Sequence, residues 1–181
     1  MATTHILLPR GINVAANNRI GMAPLRAALE AAGFTGVRTY LQSGNVVVTS
    51  PSSSPATVGR EVEALIEREF GHSIKVVVRS RKQIEKIVAH NPFADVANEG
   101  KWYFVTFCDP APDPARLAHL DPAEFEPERW LLDGDTLYTW YATGMQNSPL
   151  NKAISKAKLG VTTTARNWNT VTKLLDLAEE E

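Results

Sequence analysis

Apolar positions recur along the chain with two different periods, and the switches between them mark its elements. Thr4 to Leu8 is a short apolar run stopped by Pro9-Arg10-Gly11, which reads as a strand followed by a loop through Ile12-Asn13-Val14 to Asn17-Asn18-Arg19. From about Met22 the spacing changes to three and four. Leu25, Ala28, Leu29 and Ala32 share one stripe, so a helix is predicted there, with Gly33 placed for a left-handed stop. Val37 to Leu41 and Asn45 to Ser50 read as two strands joined through Gln42-Ser43-Gly44. Ser54-Pro55 is a helix cap followed by proline in the first turn. Val58, Val62, Leu65 and Ile66 then form a buried stripe that ends at Gly71, and Ile74 to Val78 is a closing strand.

The order β-α-β-β-α-β over residues 1–79 predicts a ferredoxin-like unit, one sheet covered by two helices. Residues 80–100 read as a connection: Ser80 and Gln83 form a capping box for a helix bearing Ile84, Ile87 and Val88, and Asn91-Pro92 ends it. Residues 101–181 begin a second α/β unit with a strand from Trp102 to Cys108. A short helix after Asp113-Pro114 and a hairpin around Asp133-Gly134 follow, the hairpin pairing Glu126–Leu132 with Thr136–Tyr141. Ser148-Pro149 opens a helix that Gly160 stops. A last helix is predicted from Ala165 to Ala178, capped by Thr164, with Trp168, Val171, Leu175 and Ala178 turned inward. This half reads β-α-β-β-α-α and lacks a fourth strand, so it is a related unit and not a full copy of the first. With Trp168 in the inward stripe, Trp168→Ala is expected to cost roughly 3 to 5 kcal/mol.

Composition changes this picture little. The chain has 181 residues, 44% of them hydrophobic and 22% charged, and its net charge of −1 gives no global pull toward nucleic acid or anionic membranes. The distribution is uneven. Met1 to Arg60 carries five arginines against Glu30 alone, Asp109 to Asp135 holds eight acids against Arg116 and Arg129, and Met145 to Lys173 has five cations and no acid. Cys108 is the single cysteine, which excludes an intramolecular disulfide and suits a reducing compartment. His5, His72, His90 and His119 are scattered without metal-ligand spacing, so no metal or cofactor is expected. No signal-peptide pattern and no apolar run of about 20 residues is present, and the chain reads as cytoplasmic, with no membrane partner.

The densest polar chemistry lies in Val161–Lys173. A helix starting after Thr164 would present free N–H groups and, with Thr162, Thr163 and Arg166, a seat for an anion. The plainer reading gives the threonines to capping and Arg166 to a carboxylate partner. Ser155 and Lys158 form an S-x-x-K pair without companion elements, and the surrounding basic helix accounts for both. No activated nucleophile or opposed pair of titratable groups stands in these motifs, so they do not decide between an enzyme and a binding protein. A helix, glycine turn and helix over 148–178, with Arg166, Asn167, Asn169 and Thr170 near the second helix's start, offers nucleic-acid binding as the second reading. The net charge and the lack of a basic stripe weigh against it. A structural or protein-interaction module is the third.

Three blocks together, Leu8-Pro9-Arg10-Gly11-Ile12-Asn13-Val14, Tyr40-Leu41-Gln42-Ser43-Gly44-Asn45-Val46 and Thr164-Ala165-Arg166-Asn167-Trp168-Asn169-Thr170-Val171, resemble the bacterial family catalogued as domain of unknown function 1697. The resemblance implies a mixed α/β protein with a ferredoxin-like N-terminal half and a related second half packed on it, and it supplies no catalytic residues. One departure stands out: where the family tends to carry glycines and lysines between Asn13 and Met22, only Arg19 keeps a charge here, which weakens a phosphate-cradle reading of this loop, because a cradle needs glycine backbone freedom and cations together. The leading expectation is that the three blocks meet between the halves in a polar, cationic pocket for a small anion, a nucleotide or phosphorylated metabolite. Arg10 and Arg166 would supply charge there, and Arg19 is a further candidate binding residue. Asn13, Ser43, Asn45, Asn167 and Asn169 would orient the ligand, and the Thr164 helix entrance would supply N–H groups.

Overall fold

The computed structural model describes residues 1–180. The protein is mixed α/β, with two four-stranded antiparallel sheets and five α-helices among the described residues. Compactness divides it into two units, one of Met1–Ala89 together with the chain from Thr172 onward, the other of His90–Val171.

In the first unit, strands β1 (Thr3–Pro9), β2 (Thr35–Tyr40), β3 (Asn45–Ser50) and β4 (Val76–Ser80) lie in the order β2-β3-β1-β4. Helices α1 (Met22–Ala31) and α2 (Pro55–Phe70) connect them, which is the predicted split βαβ arrangement. Alternation along the strands sends Leu7, Val46, Val48, Val76 and Val78 to one face. There they bury against Leu25 and Leu29 of α1 and Val58, Val62, Leu65 and Ile66 of α2. The local signals hold where they were read: Ser54 Oγ accepts from Thr57 N at 3.2 Å, and Gly71 ends α2 in the left-handed region at φ 70. After β4 comes α3 (Arg81–His90), entered through the Ser80–Gln83 box, with Gln83 N donating to Ser80 Oγ at 3.3 Å and Ser80 N to Gln83 Oε1 at 2.8 Å.

The second unit has strands β5 (Tyr103–Asp109), β6 (Arg129–Asp133), β7 (Thr136–Trp140) and β8 (Thr162–Asn167) in the order β6-β7-β5-β8. This is the first sheet's order repeated. Short 3-10 turns at Pro114–Arg116 and Pro122–Phe125 replace the first connecting helix, and α4 (Pro149–Ala157) is the second. Leu117, Leu120 and Leu137 pack with Trp130, Leu132 and Ile154 on one face of the sheet. On β5, Tyr103, Val105 and Phe107 are buried, and the Tyr103 ring meets Phe93 and Trp168 edge-to-face at 5.9 and 4.5 Å.

Three expectations for the C-terminal segment fail. The fourth strand is present, and it is Thr162–Asn167, the stretch assigned to the entrance of a helix. Thr164 is not an N-cap; it pairs with Phe107 in the middle of β8. Three consecutive threonines are β-branched and suit a strand. Pairing six backbone positions with β5, from Asp109↔Thr162 to Phe104↔Asn167, outweighs the helix preference of Ala165 and Arg166. The last helix, α5 (Trp168–Glu179), therefore starts three residues later than expected and is capped by Asn167, whose Oδ1 accepts from Thr170 N at 2.9 Å. Its inward stripe is Val171, Leu174 and Ala178, with Leu174 in the place assigned to Leu175. Near its end, Arg38 of β2 donates from its guanidinium to the Leu177 carbonyl, a cation at a helix C-terminus.

Trp168 is only half-buried, at the first position of α5. Trp168→Ala should accordingly cost about 2 to 3 kcal/mol, below the fully buried range, as read from urea denaturation. Gly44 is more demanding. It adopts φ 84, and a Cβ there would lie 2.2 Å from Ile12 Cδ1 and 2.9 Å from Cγ1. Gly44→Ala should destabilise by about 2 to 4 kcal/mol, the sum of left-handed strain and overpacking, with an unchanged denaturant slope.

Candidate functional site

The first two polar blocks meet in the first unit, and Asn13 joins them. It sits at φ 54, a left-handed conformation that asparagine tolerates better than most residues. Its Oδ1 accepts from Ile20 N at 2.8 Å, while Nδ2 donates to Ile20 O at 2.8 Å and to Gln42 O at 2.6 Å. One side chain thus closes the β1–α1 loop on itself and ties it to the β2–β3 turn. Ile12 and Ile20, both buried, hold the loop's two ends in the core. Asn18 Nδ2 adds a bond to Gly11 O at 3.2 Å, and Val14 and Asn17 form a small bridge at the tip. Ala15, Asn18 and Leu41 also have positive φ, so unusual backbone is concentrated in these two segments.

Asn45 is fully buried, with Nδ2 donating to Tyr40 O at 2.9 Å and to Ser43 Oγ at 3.3 Å. Ser43 itself is exposed on the turn. The amides of Asn13 and Asn45 are therefore engaged with the protein's own carbonyls. Arg10 and Arg19 are exposed, and among the described residues neither has a carboxylate partner. Three residues beyond Arg19, α1 begins at Met22, and its N-cap Gly21 gives no side-chain cap and its first turn holds no acid. That leaves the N–H groups of Met22 and Ala23 at the positive end of a ten-residue helix, with Pro24 contributing none. The other four α-helices have side-chain caps from Ser54, Ser80, Ser148 and Asn167.

The third block belongs to the second unit. Thr164 and Arg166 lie two apart on β8, on the same side of the strand, and Arg166 Nη1 donates to Thr164 Oγ1 at 2.7 Å and to Ala165 O at 2.8 Å. Burial lowers the Arg166 pKa to about 10, which still leaves the guanidinium charged at neutral pH. Asn167 is committed to the α5 cap. Asn169 is exposed and stands over Gly100, where a Cβ would fall 2.1 Å from its Oδ1. A strand now separates α4 from α5, so the segment is no helix-turn-helix, and the nucleic-acid reading loses the geometry on which it rested.

Sequence reasoning overlooked one polar residue of the second unit. Glu128 is buried, and its Oε1 accepts from Ser148 Oγ at 2.8 Å and from Leu150 N at 3.4 Å at the start of α4. A carboxylate at a helix N-terminus is favoured by the dipole. The residue comes 20 positions before the helix it serves, and no local pattern announces it. Burial also pushes the Tyr103 hydroxyl up to about 12, and it is neutral at physiological pH. Among the described residues, no group of three or more His, Cys, Asp or Glu could hold a metal ion, and no helix is long and apolar enough to cross a membrane.

The family model for Protein of unknown function (DUF1697) matches residues 2–138. The chain belongs to this family. The matched span takes in the first two blocks of the DUF1697 chain, with the Asn13 clamp, and ends before the third. No curated protein matches the chain. Among solved structures it is similar to that of the conserved bacterial protein SP0830 from Streptococcus pneumoniae, with a TM-score of 0.80 and 22% identity over 99% of this chain and 100% of that one. At that identity the likeness shows the shared fold.

The Asn13 clamp can be weighed directly. Asn13→Gly keeps the left-handed backbone and deletes three hydrogen bonds, for an expected loss of about 2 to 3 kcal/mol, and Asn13→Ala should lose about 1 kcal/mol more through φ strain. Equal midpoints of urea denaturation for the two variants would show that φ strain contributes nothing at this position.

Proposed function

We propose that the chain is a binding protein for a small anion, a nucleotide or phosphorylated metabolite, taken at the entrance of α1 with Arg10 and Arg19 as its cations. The supporting observation is the conjunction at one loop of an uncapped helix N-terminus and two exposed arginines without carboxylate partners among the described residues. Backbone N–H groups and the helix dipole favour a phosphate there, and the arginines add charge and bidentate donors. Asn13, Ser43 and Asn45 hold the frame, so the seat is organised before a ligand arrives and little ordering cost falls on binding. Arg166, Asn167 and Asn169 have hydrogen-bonding or packing roles of their own in the second unit.

A thermal-shift screen of nucleotides and phosphorylated metabolites tests this. A ligand present at a hundred times its Kd should stabilise the native state by about 2.7 kcal/mol. The shift should vanish in Arg10→Ala/Arg19→Ala, whose own melting temperature should stay near that of the wild type because both side chains are exposed. A shift that survives the double substitution rules out this loop as the seat.

A further inference from the structure

A cationic cleft lies in the first unit away from the α1 loop. The antiparallel pairing His5↔Ser80 brings the start of β1 beside the end of β4. Thr3 and Thr4, Ser53 from the β3–α2 connection, and Ser80, Arg81 and Lys82 at the α3 start line a cleft of about 530 Å³. That size is within the range of small-ligand sites. Met1 and Ala2 complete the lining, which contains two cationic side chains and no acid. Thr3 and Thr4 are consecutive on β1 and point to opposite faces; Thr3 shares the face of His5 and its partner Ser80, while Thr4 Oγ1 is bonded to Thr49 Oγ1 at 3.5 Å. By contrast, the lining of the cleft beside α2 mixes Arg60 and Lys75 with the acids Glu63 and Glu67.

The placement of Lys82 is not explained within the chain. Arg81 is paired with Glu85 at 2.7 Å, but Lys82 has no carboxylate partner among the described residues. A cation in the first turn of a helix is opposed by the dipole, and α3 has no acid there to offset it. The helix entrance is not the attraction for a ligand, because the Ser80–Gln83 box already occupies it.

We propose that this cleft binds a hydroxylated phosphate monoester, with Lys82 and Arg81 neutralising the phosphate and the hydroxyls of Thr3, Ser53 and Ser80 bonding its oxygens and the ligand's hydroxyl groups. The cleft is larger than inorganic phosphate alone requires, which favours a phosphorylated polyol or sugar over the bare ion. The site does not depend on Arg10 or Arg19.

Titration of ¹⁵N-labelled protein with glycerol phosphate tests it. Saturable amide shifts are expected at Thr3, Thr4, Ser53, Ser80, Arg81 and Lys82 below about 10 mM, with weaker binding of inorganic phosphate. Lys82→Glu should lower affinity at least about tenfold without lowering the melting temperature, since an acid suits the first turn of α3. Arg10→Ala should leave these shifts intact, which separates this site from the α1 loop. No saturable shift, equal displacement by chloride at the same ionic strength, or an unchanged titration in Lys82→Glu would each overturn the assignment.

Discussion

A strand as apolar as β5 can stand in a core only if its backbone N–H and C=O groups are paired along both edges. β7 satisfies one edge and β8 the other, from Phe104↔Asn167 to Asp109↔Thr162. The rest of the second unit follows from that second pairing. Taking Thr162–Asn167 into the sheet completes the β6-β7-β5-β8 order, pushes the start of α5 to Trp168 and makes Asn167 its cap. It also places Trp168 against Tyr103 and sets Arg166 on the strand beside Thr164, with its charge bonded locally.

The first unit shows a different use of polar side chains. Asn13 and Asn45 are engaged inside the chain, one closing the β1–α1 loop and the other the β2–β3 turn. The loop conformation they hold includes three non-glycine residues with positive φ between Asn13 and Asn18. Conformations of this kind persist only where surrounding contacts over-determine them. The side chains of Arg10 and Arg19 are carried on this fixed frame and are exposed, whereas the asparagine amides are used in holding it.

Charge in this chain acts locally. A net charge of −1 describes neither the α1 loop, with no acid before Glu30, nor the cleft at Lys82. At physiological ionic strength fields between exposed groups fade over about 8 Å, so the acids of 109–135 matter to a cation only where the fold brings them close. A chain average near zero is compatible with strongly cationic patches.

Sequence alone determined the elements whose signals are local. The α2 cap at Ser54, its stop at Gly71, the Ser80–Gln83 box, the Gly134 hairpin and the whole β-α-β-β-α-β order of the first unit were legible, because each depends on residues within a turn or two of one another. The joining of the first two blocks depends on Asn13 reaching Gln42, 29 positions away, and the burial of Glu128 on a helix 20 positions ahead. Neither distance leaves a periodic trace. The segment 162–167 is the sharpest case. Its threonines suit a cap or a strand about equally, and its alanine and arginine favour a helix; local preferences of a few tenths of a kcal/mol per residue could not settle it. Only the tertiary structure decided, because the open edge of β5 exists only once the sheet has formed, and satisfying its backbone hydrogen bonds is worth more than all of those preferences together.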